Sequence, residues 1–162
     1  MINQLSYTIR TSPIYEGELD YIVDFEIDSK SIWSRMKQLH PNKMSMKEAK
    51  NPDGGFVGMP THRVKMLERL YIGGRHEHYK SCWSGLAPLL VCSDCGSEGC
   101  GGIFTRIGVG SDIITWSGIG FSCAGDGLKQ LSDSSVFTFD SLDYDNTVRS
   151  LIDEIDILDR TH

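Results

Sequence analysis

The sharpest pattern in the chain is the stretch LDYIVDFEID, residues 19 to 28. Leu19, Tyr21, Val23, Phe25 and Ile27 alternate with Asp20, Ile22, Asp24, Glu26 and Asp28. A period of two makes this a strand with one apolar and one acidic face. Leu5 to Thr11 reads as a shorter strand before it, with Pro13 and Gly17 in the turn between them. Ser29 or Ser31 then caps a short helix carrying Ile32, Trp33, Met36 and Leu39, which Pro41 ends.

From Pro41 to Pro60 the chain is polar and rich in lysine, glycine and proline, and it reads as a long mobile loop. Thr61 opens a further helix with Val64, Leu67, Leu70 and Tyr71 on one side, stopped by Gly73 and Gly74. GIFTRIGVG and DIITW, residues 102 to 110 and 112 to 116, form an antiparallel pair joined through residues 109 to 112. Phe137 and Phe139 mark another strand. Asp140 or Ser141 caps a terminal helix whose stripe is Tyr144, Val148, Leu151, Ile152, Ile155 and Leu158. The sum is one α+β domain over residues 1–162: a largely antiparallel sheet, a C-terminal amphipathic helix and one or two further short helices.

Composition changes this picture little. The chain has 162 residues, 40% of them hydrophobic and 23% charged, enough for one sizeable core. The longest apolar run, Leu86 to Cys92, contains Pro88 and falls far short of the ~20 residues of a membrane span, so no membrane partner is expected. The first ten residues lack a basic segment followed by an apolar core, and the expected compartment is the cytoplasm. A net charge of −6 argues against nucleic acid, which needs a basic face, and suits a basic protein partner.

The strongest chemical signal is VCSDCGSEGCGG, residues 91 to 102. Cys92-x2-Cys95-x4-Cys100, with Gly96 and Gly99 inside, matches the first part of a zinc knuckle, cysteine standing where that motif has histidine. The knuckle's last cysteine would fall at position 105, which is Thr105. A structural zinc wants four ligands, so the fourth has to come from Cys82, Cys123, His76 or His78, and nothing in the sequence positions them. The plainer reading is a glycine-shaped turn over small buried thiols. Redox catalysis is disfavoured, because Asp94 and Glu98 would raise a thiol pKa rather than lower it.

The cysteine stretch and the C-terminal segments resemble a widespread group of small bacterial proteins of unknown function. The shared pattern is C-x-x-C-G-x-x-G-C-G, a tryptophan-serine strand, and F-x-F-x4-Y leading into a C-terminal helix. The matching positions are Cys92, Cys95, Gly96, Gly99, Cys100, Gly101, Trp116, Ser117, Phe137, Phe139 and Tyr144. The resemblance covers roughly the C-terminal half, departs from the group after Ser117, and implies a fold but no reaction.

Two further candidates remain. His76-x-His78 would present both imidazoles on one side of an extended strand, although a polar run after two glycines reads more simply as a solvated loop. The acidic residues gather on two surfaces: Asp20, Asp24, Glu26 and Asp28 on the strand, and Asp143, Asp145, Asp153, Glu154 and Asp156 on the terminal helix. Each is either a solvated face or a patch for a basic partner. No phosphate loop, nucleophile elbow or His-Glu-x2-His occurs. The sequence therefore points to a non-enzymatic cytoplasmic binding protein without a required cofactor, of the immunity or antitoxin kind, that neutralises a cognate toxin domain. The alternative is a zinc-binding structural or regulatory module built on Cys92, Cys95 and Cys100.

Overall fold

The computed structural model describes residues 1–14, 18–41, 55–72, 86–93, 96, 101–122 and 130–161. Its strands are β1 (Leu5–Ile14), β2 (Glu18–Ile27), β3 (Lys30–Ser31), β4 (Phe56–Pro60), β5 (Leu86–Cys92), β6 (Gly102–Val109), β7 (Ile113–Ser122) and β8 (Gln130–Asp140). The helices are α1 (Ile32–Leu39), α2 (Thr61–Met66), α3 (Glu68–Tyr71) and α4 (Ser141–Thr161). Seven strands lie along one antiparallel path, β1-β2-β4-β5-β6-β7-β8, and β3 pairs with β2. The architecture is α+β, as the periodicities imply.

An antiparallel path of seven strands leaves the first and last running the same way, so any seam between them must be parallel. It is: Asn3 bridges Phe139 in parallel. The Asn3 backbone N–H donates to the Thr138 carbonyl at 2.7 Å, and the Asn3 side-chain oxygen accepts from the Thr138 N–H at 2.9 Å. Inside the curl, Phe25 of β2 and Trp116 of β7 meet with ring centroids 6.0 Å apart. Strands so far separated along the path touch only if that face is concave.

The apolar alternation of β2 supplies part of this interior. Val23, Phe25 and Ile27 are buried on the inward face, but Ile22 on the other face is buried as well, and Leu19 is 73% exposed. The outward burial has a local cause. Ile22 and Val23 pair with Pro60 and Met59 of β4, and a Cβ on Gly58 would stand 2.3 Å from the Val23 carbonyl oxygen. Glycine at 58 lets β4 lie that close. The segment read as a loop from Pro41 to Pro60 therefore ends in a fully buried strand over Phe56–Pro60; residues 42–54 lie outside the described ones. LAPLLVC is likewise a strand buried at all seven positions.

The helices match their sequence signals closely. Ser31 caps α1, its hydroxyl accepting from the Ser34 N–H at 3.0 Å, and Ile32 and Met36 are buried. Asp140 caps α4 through the Asp143 N–H at 3.0 Å, and Tyr144, Val148, Leu151 and Ile155 form its buried stripe. The helix expected from Thr61 breaks in two at Leu67, whose φ of −103° and ψ of 17° leave helical geometry. Its N–H reaches both the Arg63 and Val64 carbonyls, the tightening of a terminal turn. Val64, Leu67, Leu70 and Tyr71 still face the core.

At the β2–β3 hairpin, Ile27 pairs with Lys30, leaving Asp28 and Ser29 as a two-residue loop with φ of 51° and 66°. Such a loop requires left-handed backbone at both positions, which aspartate tolerates better than serine. Ser29→Gly should raise stability by about 1 kcal/mol in urea melts; an unchanged or lower midpoint would contradict the assignment.

Candidate functional site

The structure treats the two acidic surfaces differently. On β2, the opposing strand supplies partners diagonal in the ladder. Arg10 Nε lies 2.6 Å from an Asp24 carboxylate oxygen, and Thr8 Oγ1 donates to Glu26 at 3.0 Å. Asp28 leaves the strand for the hairpin loop and accepts from the Gln4 N–H and the Asn3 side-chain amide, both at 2.8 Å. These hydrogen bonds hold its carboxyl below the ordinary value of 3.8. Asp20 stands 3.9 Å from His62 Nδ1, beside a 330 Å³ depression with Ile14, Glu18, Leu19, Pro60 and Gly96. Three of the four carboxylates are thus occupied in holding β1 and the N-terminal residues, and the strand presents no open acidic strip.

On α4 the carboxylates stay outward. Asp156 and Asp159 share Lys65 of α2, at 2.5 and 3.8 Å, and Asp156 raises that ammonium's pKa. Among the described residues Asp143, Asp145, Asp153 and Glu154 form no ion pair. Asp145 and Asp153 instead edge a groove of about 410 Å³ between α3 and α4. Val148, Ile152 and the half-exposed Ile72 form its floor, Glu68 closes the α3 side, and Arg149 stands between the two aspartates. Residues 145, 149 and 153 recur every fourth position, so one helix face carries all three. Glu68 is absent from the sequence-based set. Its only signal was its place opposite the apolar side of the Thr61 helix.

What spaces α3 from α4 is a buried hydrogen-bond chain. Trp116 Nε1 donates to the Tyr144 hydroxyl at 3.0 Å, that hydroxyl donates to the Tyr71 carbonyl, and the Tyr71 hydroxyl donates to the Pro88 carbonyl at 2.7 Å. Burial pushes the Tyr144 phenol well above its ordinary pKa of 10.0, keeping it a neutral donor. Trp116, Phe139 and Tyr144 pack edge-on or tilted at 5.4 to 6.3 Å. The aromatic positions that carried the family resemblance are therefore core.

Cys92 ends β5, 3% exposed and opposite Phe56. Cys95 and Cys100 lie outside the described residues, as do Cys82, Cys123, His76 and His78. Gly96 donates its N–H to the Cys92 carbonyl at 2.8 Å with φ of 63°, a tight turn of the kind the glycines suggested. Among the described residues, no three His, Cys, Asp or Glu side chains group as metal ligands, and no helix is long and apolar enough to cross a membrane.

No family model, curated protein or solved structure matches the chain.

The Asp28 geometry gives a pH prediction. A carboxyl whose folded pKa is depressed contributes stability above its unfolded pKa and loses it as pH falls through the folded one. Unfolding midpoints should therefore decline on acidification from about pH 4 downward, and Asp28→Asn should flatten that decline. An equally steep acid limb in the variant would show that the Asn3 and Gln4 contacts carry no such linkage.

Proposed function

We propose that this chain is a non-enzymatic binding protein that engages a basic protein partner along α4. In its most concrete form it is a bacterial immunity protein that covers the working surface of a cognate toxin domain. The observation that carries the reading is the α3–α4 groove, where Glu68, Asp145 and Asp153, three carboxylates against the single cation Arg149, surround an apolar floor. A lysine or arginine of the partner lays its aliphatic stem on Val148 and Ile152 and its charged head among the carboxylates. The exposed Asp143 and Glu154 extend the negative field along the helix, and the net charge of −6 acts in the same sense. Zinc is not needed for this role.

The test is co-expression of this chain, tagged, with a candidate toxin domain of basic charge, taken first from any reading frame adjacent to its own. The expected result is a complex that survives gel filtration and restores growth of cells making the toxin. Replacing Glu68 by Gln and Asp145 and Asp153 by Asn should slow association roughly tenfold at low salt. That difference should shrink toward 1 M salt, where the screening length falls to about 3 Å. Absence of a complex at micromolar concentration would overturn the reading, and an unaffected triple variant would remove the groove from it.

A further inference from the structure

At the start of the strand path, β1 has one side that β2 does not use. Gln4 faces β2: its carbonyl accepts from the Asp28 N–H at 2.9 Å, and its N–H donates to the Asp28 carboxylate at 2.8 Å. Asn3 faces the other way, its N–H reaching the Thr138 carbonyl at 2.7 Å. Backbone groups alternate sides along a strand, and β1 pairs with β2 without a bulge from Leu5 to Ile14. The N–H and C=O groups of Tyr7, Ile9 and Thr11 therefore point away from β2. Among the described residues no strand pairs with them there. β8 leaves that side of β1 after Asp140, where the chain turns into α4, and a depression of about 440 Å³ opens among Leu5, Asp140, Asp143, Asn146 and Thr147. Pro13 falls on the same side and has no N–H, so the ladder on offer ends at Thr11.

The side chains along this edge indicate what would cover it. Tyr7 and Ile9 pack against the core but stay half-buried. α4 flanks them: the Tyr7 hydroxyl donates to Ser150 at 3.2 Å, and residues 143, 147, 150, 154 and 157, spaced by three and four, share that side of the helix. The row carries Asp143, Glu154 and the exposed Ile157, and none of its positions is lysine or arginine. Its negative field reaches the edge. Burial raises the Tyr7 phenol above its ordinary pKa of 10.0, and the Glu154 and Asp153 carboxylates push it the same way. A second copy would bring the same carboxylates and a further net charge of −6, so the row opposes self-pairing and suits a cationic strand.

We propose that an extended segment of the basic partner adds to the sheet as a strand beside β1, its backbone paired with Tyr7, Ile9 and Thr11 and its lysine or arginine side chains directed at Glu154 and Asp143. The inference rests on the reading of α4 as the surface that meets a basic partner, and it adds the mode of binding. Main-chain bonds supply affinity that is indifferent to sequence, and the alternate side chains supply selection. The aliphatic stems of the incoming cations cover Tyr7, Ile9 and Ile157. Exposed edges are commonly protected by charges or bulges. Between Tyr7 and Thr11 the single charge is Arg10, which faces the opposite side of the sheet, where Asp24 holds it at 2.6 Å.

The experiment follows backbone amide exchange by NMR in the full chain, alone and with an acetylated octapeptide alternating lysine and valine or its glutamate counterpart. In the free chain the Tyr7, Ile9 and Thr11 amides should exchange fast while those of Ser6, Thr8 and Arg10 are protected. Saturating lysine peptide should slow the first set about tenfold or more, and the glutamate peptide should leave it fast. Glu154→Gln should weaken the lysine peptide about threefold at low salt. Slow exchange of the first set in the free chain, whether from a second copy or from this chain's own residues, would overturn the proposal, and so would a lysine peptide that leaves it fast. A toxin-domain complex in which those amides stay fast would overturn the added strand and leave the groove reading intact. Protection by the lysine peptide without any toxin complex would uphold the edge as a cationic-strand site and remove the immunity role.

Discussion

One buried phenol holds this molecule's parts in register. The Tyr144 hydroxyl takes the Trp116 indole N–H from β7 and gives its own proton to the Tyr71 carbonyl at the end of α3. Tyr71 in turn donates to Pro88 on β5. A strand, the terminal helix, a short helix and a second strand are thus joined by three directional bonds inside an aromatic cluster. In that dry setting each bond is stronger than in water, and each unmade bond costs more. Hydrophobic burial alone would let α4 slide along the concave face; the chain of donors and acceptors specifies one position.

That position matters for the surface. Glu68 and Ile72 reach the groove from the two ends of the α3 turn, and Asp145 comes directly after Tyr144. The spacing between the carboxylates is therefore inherited from the buried bonds beneath them. The curl contributes too: with the parallel bridge at Asn3 joining β1 to β8, α4 packs against both strands, and Tyr7 of β1 donates to Ser150 of α4 at 3.2 Å.

Elements that repeat at one period against one solvent-facing side were legible in the sequence. The α4 stripe, the α1 cap at Ser31, and the β6–β7 pair all fall where pattern and capping put them. β4 and β5 were not legible, because strands buried on both faces have no alternation, and Gly58 acquires its meaning only from the nearness of Val23. The β2 carboxylates illustrate a second limit. Alternation placed Asp24 and Glu26 on one face, but Arg10 and Thr8, which occupy them, belong to a strand whose register no local pattern announces. The cysteines show a third: Cys92, Cys95 and Cys100 were visible by spacing, but of the three only Cys92, buried at the end of β5, lies among the described residues.

The most direct test of the phenol's anchoring role is a double-mutant cycle on Trp116→Phe and Tyr144→Phe, read by denaturant unfolding. If the indole–phenol bond anchors the helix, the two substitutions should be strongly non-additive, with a coupling of about 1 kcal/mol or more. Additivity within about 0.3 kcal/mol would mean that the two rings merely pack, and that something other than this bond sets the position of α4.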